Sequence, residues 1–286
     1  MIQRAAASDA GFFDVAYYNT GPHAENSKTD ILFGQALRAS RVPRDGVFLC
    51  GKLWLWDWPN RGFRDQIRES LDRAGLDRFD AVVVGDYIHT PDIVRLVADV
   101  GELIDEGLCG VWGINNWVID DARAAIEAAQ NVGAVPPTFA QLKYSIVRRS
   151  MAEGEPYGAL FREGMLALQA SDVFEGGVLL GRAPRRKIGA DVGGIRARIA
   201  DASPLLEGRA RDFGATPAQM AIAFCLANPA TANVLFGASR PEQLETNIAA
   251  ARLAAERGDE VRAAVADLWL DHEVAADGRW APTPGA

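Results

Sequence analysis

The alternation of short apolar runs with longer amphipathic stretches is the feature of this sequence that most restricts its fold. Seven runs of six to eight residues are rich in apolar side chains, and most are continuously apolar rather than alternating. Such runs are typical of parallel strands that are covered on both faces. They occupy residues 11–16, 47–52, 79–86, 109–116, 138–145, 165–171 and 232–239.

Stretches of helical length separate these runs. Residues 63–76 place Ile67 and Leu71 on one face, and residues 93–108 carry a similar apolar stripe. Thr216 followed by Pro217 predicts the start of a further helix over 217–227, because a hydroxyl caps the first turn and proline fits it.

Strands that alternate with helices predict a parallel sheet joined by right-handed crossovers, and at this length a (β/α)8 TIM barrel. Only seven strands can be read from the 286 residues, because residues 1–10 resemble the end of a helix. We therefore expect the first strand to be absent from this chain. We expect one domain over 1–286, with a C-terminal helix at about 256–273 and a flexible tail at 275–286.

Composition excludes several classes of function. The net charge of −8 argues against a surface for nucleic acid or for an anionic membrane. The three cysteines are far apart in apolar runs, and their spacing with the three histidines predicts no metal site. The sequence shows neither a signal peptide nor an apolar stretch long enough to span a bilayer, which predicts a cytoplasmic protein.

The site of such a barrel is built at the carboxyl ends of its strands, which gives the candidate residues. Lys52 ends the buried run 47–52, where a lysine is costly unless it is paired. Asp14, on the neighbouring run, is the obvious partner. Near the end of the chain, FGASRPEQLETN joins a strand to a helix through Gly237, and Ser239, Arg240 and Pro241 are expected to begin the helix. A helix N-terminus beside a guanidinium can hold a phosphate.

Several segments, in the right order, resemble the aldo-keto reductase superfamily. They are FFDVA, TDILFGQAL, Lys52, FDAVVV, ELIDEGLCGVWGINNW, Gln141 with Tyr144, and GASRPEQLETN. The nearest branch is the one that contains potassium-channel β subunits. The resemblance implies a barrel that binds NADPH and reduces aldehydes or ketones with an Asp, Tyr, Lys and His set.

The resemblance assigns this set unevenly. It places Asp14 and Lys52 on the family aspartate and lysine. The family tyrosine falls on Asn19, with Tyr18 one place early, and the family histidine falls on Gly85. The NADP(H)-binding residues that it implies, together with Ser171 at a strand end, are Asn115, Asn116, Gln141, Ser171, Gly237, Ser239, Arg240, Gln243 and Asn247. Arg240 is expected at the 2′-phosphate, which would favour NADPH over NADH.

These departures predict a remodelled site. Asn19 cannot supply a proton, whereas Tyr18 can if the loop after Ala16 is one residue tighter and the hydroxyl reaches Lys52. Gly85 is expected to leave room for a larger substrate or a water. The expected substrate contacts are Trp54, Asp86 and Trp117.

Three functions fit these residues. The first is an NADPH-dependent oxidoreductase that acts on a small-molecule carbonyl compound or its alcohol. The second is a lyase or dehydratase that uses Lys52 and Asp14 without net redox change. The third is a catalytically weak NADP-binding regulatory subunit. The sequence does not fix the oligomeric state.

Overall fold

A computed structural model describes residues 1–8, 10–17, 28–87, 89–183 and 195–272 of the chain, apart from the side chains of residues 155 and 156. These residues form two compact units, Met1–Ala140 and Gln141–Ala286. The expectation of one domain stays a prediction. The expected flexible tail at 275–286 lies outside the described residues.

The first unit holds four strands in chain order, β1 (Phe12–Asp14), β2 (Phe48–Leu53), β3 (Ala81–Val84) and β4 (Val111–Asn115). Each is parallel to its neighbour. Cys50 lies opposite Asp14 on one side and Ala81 on the other. Because side chains alternate along a strand, Asp14, Cys50 and Lys52 share one face of the sheet.

The described residues of this unit form the α-helices α1 (Ile2–Ala6), α2 (Thr29–Ser40), α3 (Phe63–Ala74), α4 (Ile93–Asp105) and α5 (Ile119–Val132), and a 3₁₀ turn at Arg44–Gly46. Helix α3 buries Phe63, Ile67 and Leu71 and ends where Gly75 adopts a left-handed conformation (φ 66°). Helix α4 begins where the Asp92 side chain accepts a hydrogen bond from the Arg95 amide. The amphipathic stripes read from the sequence therefore form the helices that were expected.

The second unit continues the pattern. Its strands β5 (Phe139–Lys143, which begins at the end of the first unit), β6 (Ala167–Ser171) and β7 (Thr231–Val234) follow chain order, and β6 and β7 are parallel. Its helices are α6 (Ser150–Glu153), α7 (Glu155–Arg162), α8 (Ile195–Asp212), α9 (Pro217–Leu226), α10 (Pro241–Ile248) and α11 (Ala250–Ala264). Thr216 and Gln219 form the expected start of α9 as a reciprocal capping box.

The C-terminal helix differs from the sequence-based expectation of about 256–273. Helix α11 begins at Ala250 and ends at Ala264, a short 3₁₀ turn covers Ala266–Leu268, and Trp269 is extended. The Asp271 carboxylate accepts hydrogen bonds from the backbone amides of Arg149 and Ser150 at the start of α6, and from the Trp269 indole. These contacts stabilise an extended segment where apolar periodicity alone predicts helix.

All three cysteines are buried and free. Cys50 and Cys225 are fully buried and Cys109 is 3% exposed. Burial is the main cause that raises the pKa of each thiol, to about 12 for Cys109. They behave as small apolar side chains of the interior.

None of the helices in the part of the chain that the structure describes is both long and apolar enough to cross a membrane. Within the same residues, no group of three or more His, Cys, Asp or Glu side chains is placed to hold a metal ion.

Candidate functional site

Lys52 lies near the carboxyl end of β2 and is 9% exposed. Its ammonium donates a hydrogen bond of 2.9 Å to Oδ1 of Asn115, which is the last residue of β4. The same Nζ atom lies 4.8 Å from the centroid of the Trp54 ring. An amide oxygen and the face of an indole both attract a cation, so the charge is held between two strand ends.

Asp14 ends β1 on the same face as Lys52. Its Oδ1 atom is buried. Burial chiefly raises the pKa of the Cys50 thiol; the Asp14 carboxylate raises it further and the Lys52 ammonium lowers it. Both charges therefore act on Cys50. The expected contact between the Lys52 ammonium and the Asp14 carboxylate stays a prediction.

Tyr18 and Asn19 lie outside the described residues, so the position of the proton donor stays a prediction. Tyr17 is described and is engaged elsewhere. Its hydroxyl donates to Oε1 of Glu69 at 3.0 Å, and the Arg73 guanidinium lies 4.0 Å from its ring centroid. The hydroxyl of Tyr17 is thus directed to helix α3.

Gly85 follows β3 and does not leave the space expected from the sequence. A Cβ atom at this position would lie 2.9 Å from Cε3 of Trp54 and 3.1 Å from the Leu53 carbonyl oxygen. Real Cβ atoms essentially never approach another heavy atom as closely as 2.9 Å. The prediction of room for a larger substrate or a water is therefore wrong, because the Trp54 indole fills the volume.

The other two predicted substrate contacts flank this point. Asp86 is half-buried beside Gly85. Trp117 is fully buried; its indole N–H donates to the Gly85 carbonyl at 2.8 Å, and its ring meets Tyr87 edge-on at 5.4 Å. Trp117 thus links the segment after β4 to the segment after β3 through this hydrogen bond. The predicted contact of Trp117 with a substrate stays a prediction. Between Asn115 and Trp117, Asn116 adopts a left-handed conformation (φ 52°), which asparagine tolerates well.

In the second unit, Gln141 and Ser171 lie at strand positions and bond to neighbouring strands. Nε2 of Gln141 donates to Oε1 of Gln169 at 2.7 Å, and both residues are buried. The Ser171 hydroxyl donates to the Leu142 carbonyl at 2.9 Å. The predicted contacts of Gln141 and Ser171 with the cofactor stay predictions. In the structure, each side chain forms a hydrogen bond that links two neighbouring strands.

The segment after β6 contains a buried acid that the sequence analysis missed. Glu175 is 3% exposed, has a left-handed backbone (φ 51°), and accepts hydrogen bonds from Nε of Arg148 at 2.8 Å and from Oγ of Ser145 at 2.7 Å. Burial raises the pKa of Glu175, although the Arg148 charge opposes the rise. A paired glutamate thus fixes the segment directly after Ser171. The acid lies in FEGGV, whose two glycines were the only available signal.

The strand-to-helix corner near the end of the chain has the geometry expected of a phosphate-binding turn. Arg240 is the exposed residue before the first turn of α10. The backbone amide and the hydroxyl of Ser239 both donate to Oε1 of Gln243, at 2.9 and 3.0 Å. Gly237 faces open space, because nothing lies within 4 Å of a Cβ built there. Asn247, on the same helix, is 5% exposed.

This corner fits the phosphate end of NADP(H). An eight-residue helix N-terminus, an exposed guanidinium and an uncrowded glycine offer an anion both donors and space. The side chain of Gln243 accepts both hydrogen bonds from Ser239 and so supports the turn.

Gln66 is a second residue that the sequence analysis missed. It is 6% exposed; its side chain accepts a hydrogen bond from the Trp54 amide at 2.8 Å and donates to the Trp54 carbonyl at 3.0 Å. The sequence signal for this role was a polar residue within the buried stripe of α3, because a buried polar side chain is expected to form hydrogen bonds.

A cavity of about 320 Å³ in the second unit contains none of the predicted site residues. Its lining comprises Ala152, Glu153, Gly158, Phe161, Arg162, Asn228, Pro229, Ala230 and Arg262. Arg262 bonds to Glu153 at 3.0 Å and to the Tyr144 hydroxyl at 2.9 Å. The cofactor is not assigned to this cavity, because none of the residues that the resemblance implies for NADP(H) lines it.

Comparison with known proteins identifies the family. The profile of the Aldo/keto reductase family matches residues 1–266. The chain belongs to the aldo/keto reductase family. The resemblance read from the sequence is thereby confirmed.

Two similar proteins carry different functional names. A protein from Oryza sativa subsp. japonica, named "Probable voltage-gated potassium channel subunit beta", is 27% identical over 271 residues, with coverage of 86% of this chain and 79% of that protein. D-threo-aldose 1-dehydrogenase from Pseudomonas sp is 26% identical over 315 aligned positions, with coverage of 98% and 87%.

A solved structure supports the fold. The crystal structure of a thermostable aldo-keto reductase with the inhibitor epalrestat matches with a TM-score of 0.68 at 20% identity, over 93% of this chain and 86% of that one. The fold class predicted from the sequence is confirmed as that of the (β/α)8 aldo/keto reductases. The described residues supply seven of its eight strands.

Proposed function

We propose that this aldo/keto reductase family member is an NADP(H)-dependent oxidoreductase that interconverts a small-molecule carbonyl compound and its alcohol. The observation that carries the proposal is the buried ammonium of Lys52, held at 2.9 Å by Asn115. A cation fixed at a strand end can stabilise the negative charge that develops on a carbonyl oxygen during reduction.

The phosphate-binding corner supports the choice of cofactor. Arg240 and the first turn of α10 would hold the 2′-phosphate of NADP(H), with Ser239 and Gln243 forming the turn beside it. When bound, this cofactor supplies or accepts the hydride. The chain's own residues then have to hold the substrate oxygen and move a proton, for which Lys52 and Tyr18 are the candidates.

The proposed partner is a small molecule rather than a nucleic acid or a membrane, because the chain carries a net charge of −8. We propose that the protein acts in the cytoplasm. The three free, buried cysteines support this, since unpaired thiols are typical of a reducing compartment.

The proposal is tested by mixing the purified chain with NADPH and measuring nicotinamide fluorescence, followed by turnover with a panel of aldehydes, ketones and aldoses. We expect saturable binding and oxidation of NADPH with at least one carbonyl class. Lys52→Met should lower kcat by about a hundredfold or more and leave NADPH binding in place. An unchanged kcat in that variant would remove Lys52 from the reaction.

The corner has its own test. Arg240→Ala should weaken NADPH binding about ten- to a hundredfold, since a charge-assisted bond contributes roughly 1.5–3 kcal/mol, and should leave NADH binding unchanged. Arg252→Ala is the matched control, because Arg252 is an exposed arginine on α11 that pairs with Glu256. Equal losses for the two nucleotides would contradict contact with the 2′-phosphate.

A second candidate function is an NADP-binding regulatory subunit. The similarity to a protein named as a potassium channel subunit, at 27% identity, favours it. Its signature in the same experiment is tight NADPH binding without oxidation by any carbonyl compound in the panel.

The structure lends less support to the lyase alternative. A Schiff base needs an uncharged amine, whereas the Trp54 ring face and the Asn115 oxygen both attract an ammonium ion. Carbonyl turnover without NADPH, trapped by borohydride at Lys52, would reverse this judgement.

A further inference from the structure

Trp54 occupies the volume in which the resemblance expects the side chain of residue 85. Gly85 is needed there for space alone, because a Cβ would meet the Trp54 ring at 2.9 Å and its backbone is not left-handed. Trp54 is 5% exposed and stacks on Trp56 at 4.4 Å, with 20° between the ring planes. The ring is therefore a fixed part of the site.

The backbone of Trp54 is held as firmly as its ring. Gln66 accepts from the Trp54 amide and donates to the Trp54 carbonyl, at 2.8 and 3.0 Å. Two bonds from one buried side chain fix the direction in which the indole leaves the main chain.

The indole N–H is directed to the segment that precedes the predicted proton donor. Nε1 of Trp54 donates to the carbonyl oxygen of Tyr17 at 2.7 Å. The Tyr17 side chain is fixed in turn by Glu69 and Arg73. The chain is thus anchored on both sides of the Tyr17 α-carbon, immediately before residue 18.

We propose that Trp54 is a positioning residue, which acts on the Lys52 ammonium and on the peptide group that precedes the predicted proton donor. Its ring face restrains the Lys52 ammonium, and its N–H holds the Tyr17 carbonyl, which belongs to the peptide group that joins Tyr17 to residue 18. The absence of a side chain at Gly85 makes this arrangement sterically possible. The inference rests on the proposed oxidoreductase function. It assigns Trp54 a role other than contact with the substrate.

Trp54→Phe is the decisive variant, since it keeps an aromatic ring and removes the N–H bond. We expect kcat to fall about ten- to a hundredfold, because small misplacements of reacting groups have effects of this size. The Kd for NADPH should not change. Trp58→Phe is the matched control: its indole N–H also donates a hydrogen bond, here to Oδ2 of Asp99 at 2.9 Å, and its ring stacks on Phe63. It should retain the kcat of the unmodified chain.

A structural readout accompanies the kinetics. The backbone amide of residue 18 belongs to the same peptide group as the Tyr17 carbonyl, so its NMR resonance should move in Trp54→Phe and stay in place in Trp58→Phe. Gly85→Ala, which displaces the ring, should reproduce the loss of kcat. In the double variant, Gly85→Ala should lower kcat by a smaller factor than it does alone, because both substitutions act through the Trp54 ring. Near-UV circular dichroism checks that each variant folds.

The outcomes separate the two proposals. Turnover in the unmodified chain with an unaltered kcat in Trp54→Phe overturns the role of Trp54 alone. A raised KM for the carbonyl substrate at constant kcat also overturns it, in favour of direct substrate contact. Absence of any turnover in the unmodified chain overturns the oxidoreductase function and this inference with it.

Discussion

Glu175 shows how one buried side chain can carry opposing electrostatic effects. Burial disfavours its charge, whereas Arg148 and Ser145 bind the carboxylate. The net result is a pKa raised above the ordinary value of 4.5, so the folded chain holds this proton more tightly than the unfolded chain does. The contribution of Glu175 to stability is therefore greatest at low pH and declines as the pH rises through the raised pKa.

Replacement of Glu175 by glutamine should remove this pH dependence. Glu175→Gln cannot ionise, so it should lack the decline in stability that the raised pKa of Glu175 gives the unmodified chain. The free energy of unfolding of the unmodified chain, relative to that of the variant, should therefore be greatest at low pH and should fall as the pH rises through the raised pKa. Urea unfolding at a series of pH values measures it. Glu207→Gln is the control, because Glu207 is 66% exposed and pairs only with the exposed Arg211 among the described residues. A difference that widens with pH would contradict the raised pKa.

At the scale of helices, two glycines in similar settings should behave in opposite ways. Gly34 lies within α2, and a Cβ there would meet the carbonyl oxygen of Ala74 in α3 at 1.8 Å. Gly208 lies within α8, and a Cβ there would find nothing within 4 Å among the described residues.

Alanine at each position tests whether α2 and α3 pack this closely. Gly34→Ala should destabilise the chain by about 3 kcal/mol or prevent folding, because the helices cannot move apart without loss of packing. Gly208→Ala should stabilise it by about 0.5–1 kcal/mol, since alanine is the better helix former. Thermal unfolding of the two variants measures these changes in stability. A loss of stability well below about 3 kcal/mol in Gly34→Ala would show that α2 and α3 pack less closely than the structure shows.

The elements themselves were predictable, because their signals are local. Continuous apolar runs marked the strands, and Thr216 with Pro217 marked the start of α9. The end of α11 was not predictable, because the bonds to Asp271 come from residues over a hundred positions away. The position of the Trp54 ring beside Gly85 could not be predicted for the same reason. The two residues are far apart in sequence, and only the folded sheet brings them together.

At the scale of the whole molecule, family membership fixes the fold more firmly than the chemistry. The family profile spans residues 1–266, and relatives at 26–27% identity include a dehydrogenase and a protein named as a channel subunit. The residues that would separate these functions are few. Lys52 and Asn115 are placed together by β2 and β4, whereas the proton donor depends on the segment at Tyr18, which lies outside the described residues.

The interior position of every thiol makes this chain suitable for site-specific labelling. Cys50, Cys109 and Cys225 should resist maleimides and Ellman's reagent in the native state and react fully in denaturant, because a buried thiol with a raised pKa offers little thiolate. Rapid loss of one native thiol would contradict this expectation. A fluorophore coupled to a single cysteine introduced at the exposed Glu242, in the first turn of α10, would then report on nucleotide binding without removal of any native cysteine.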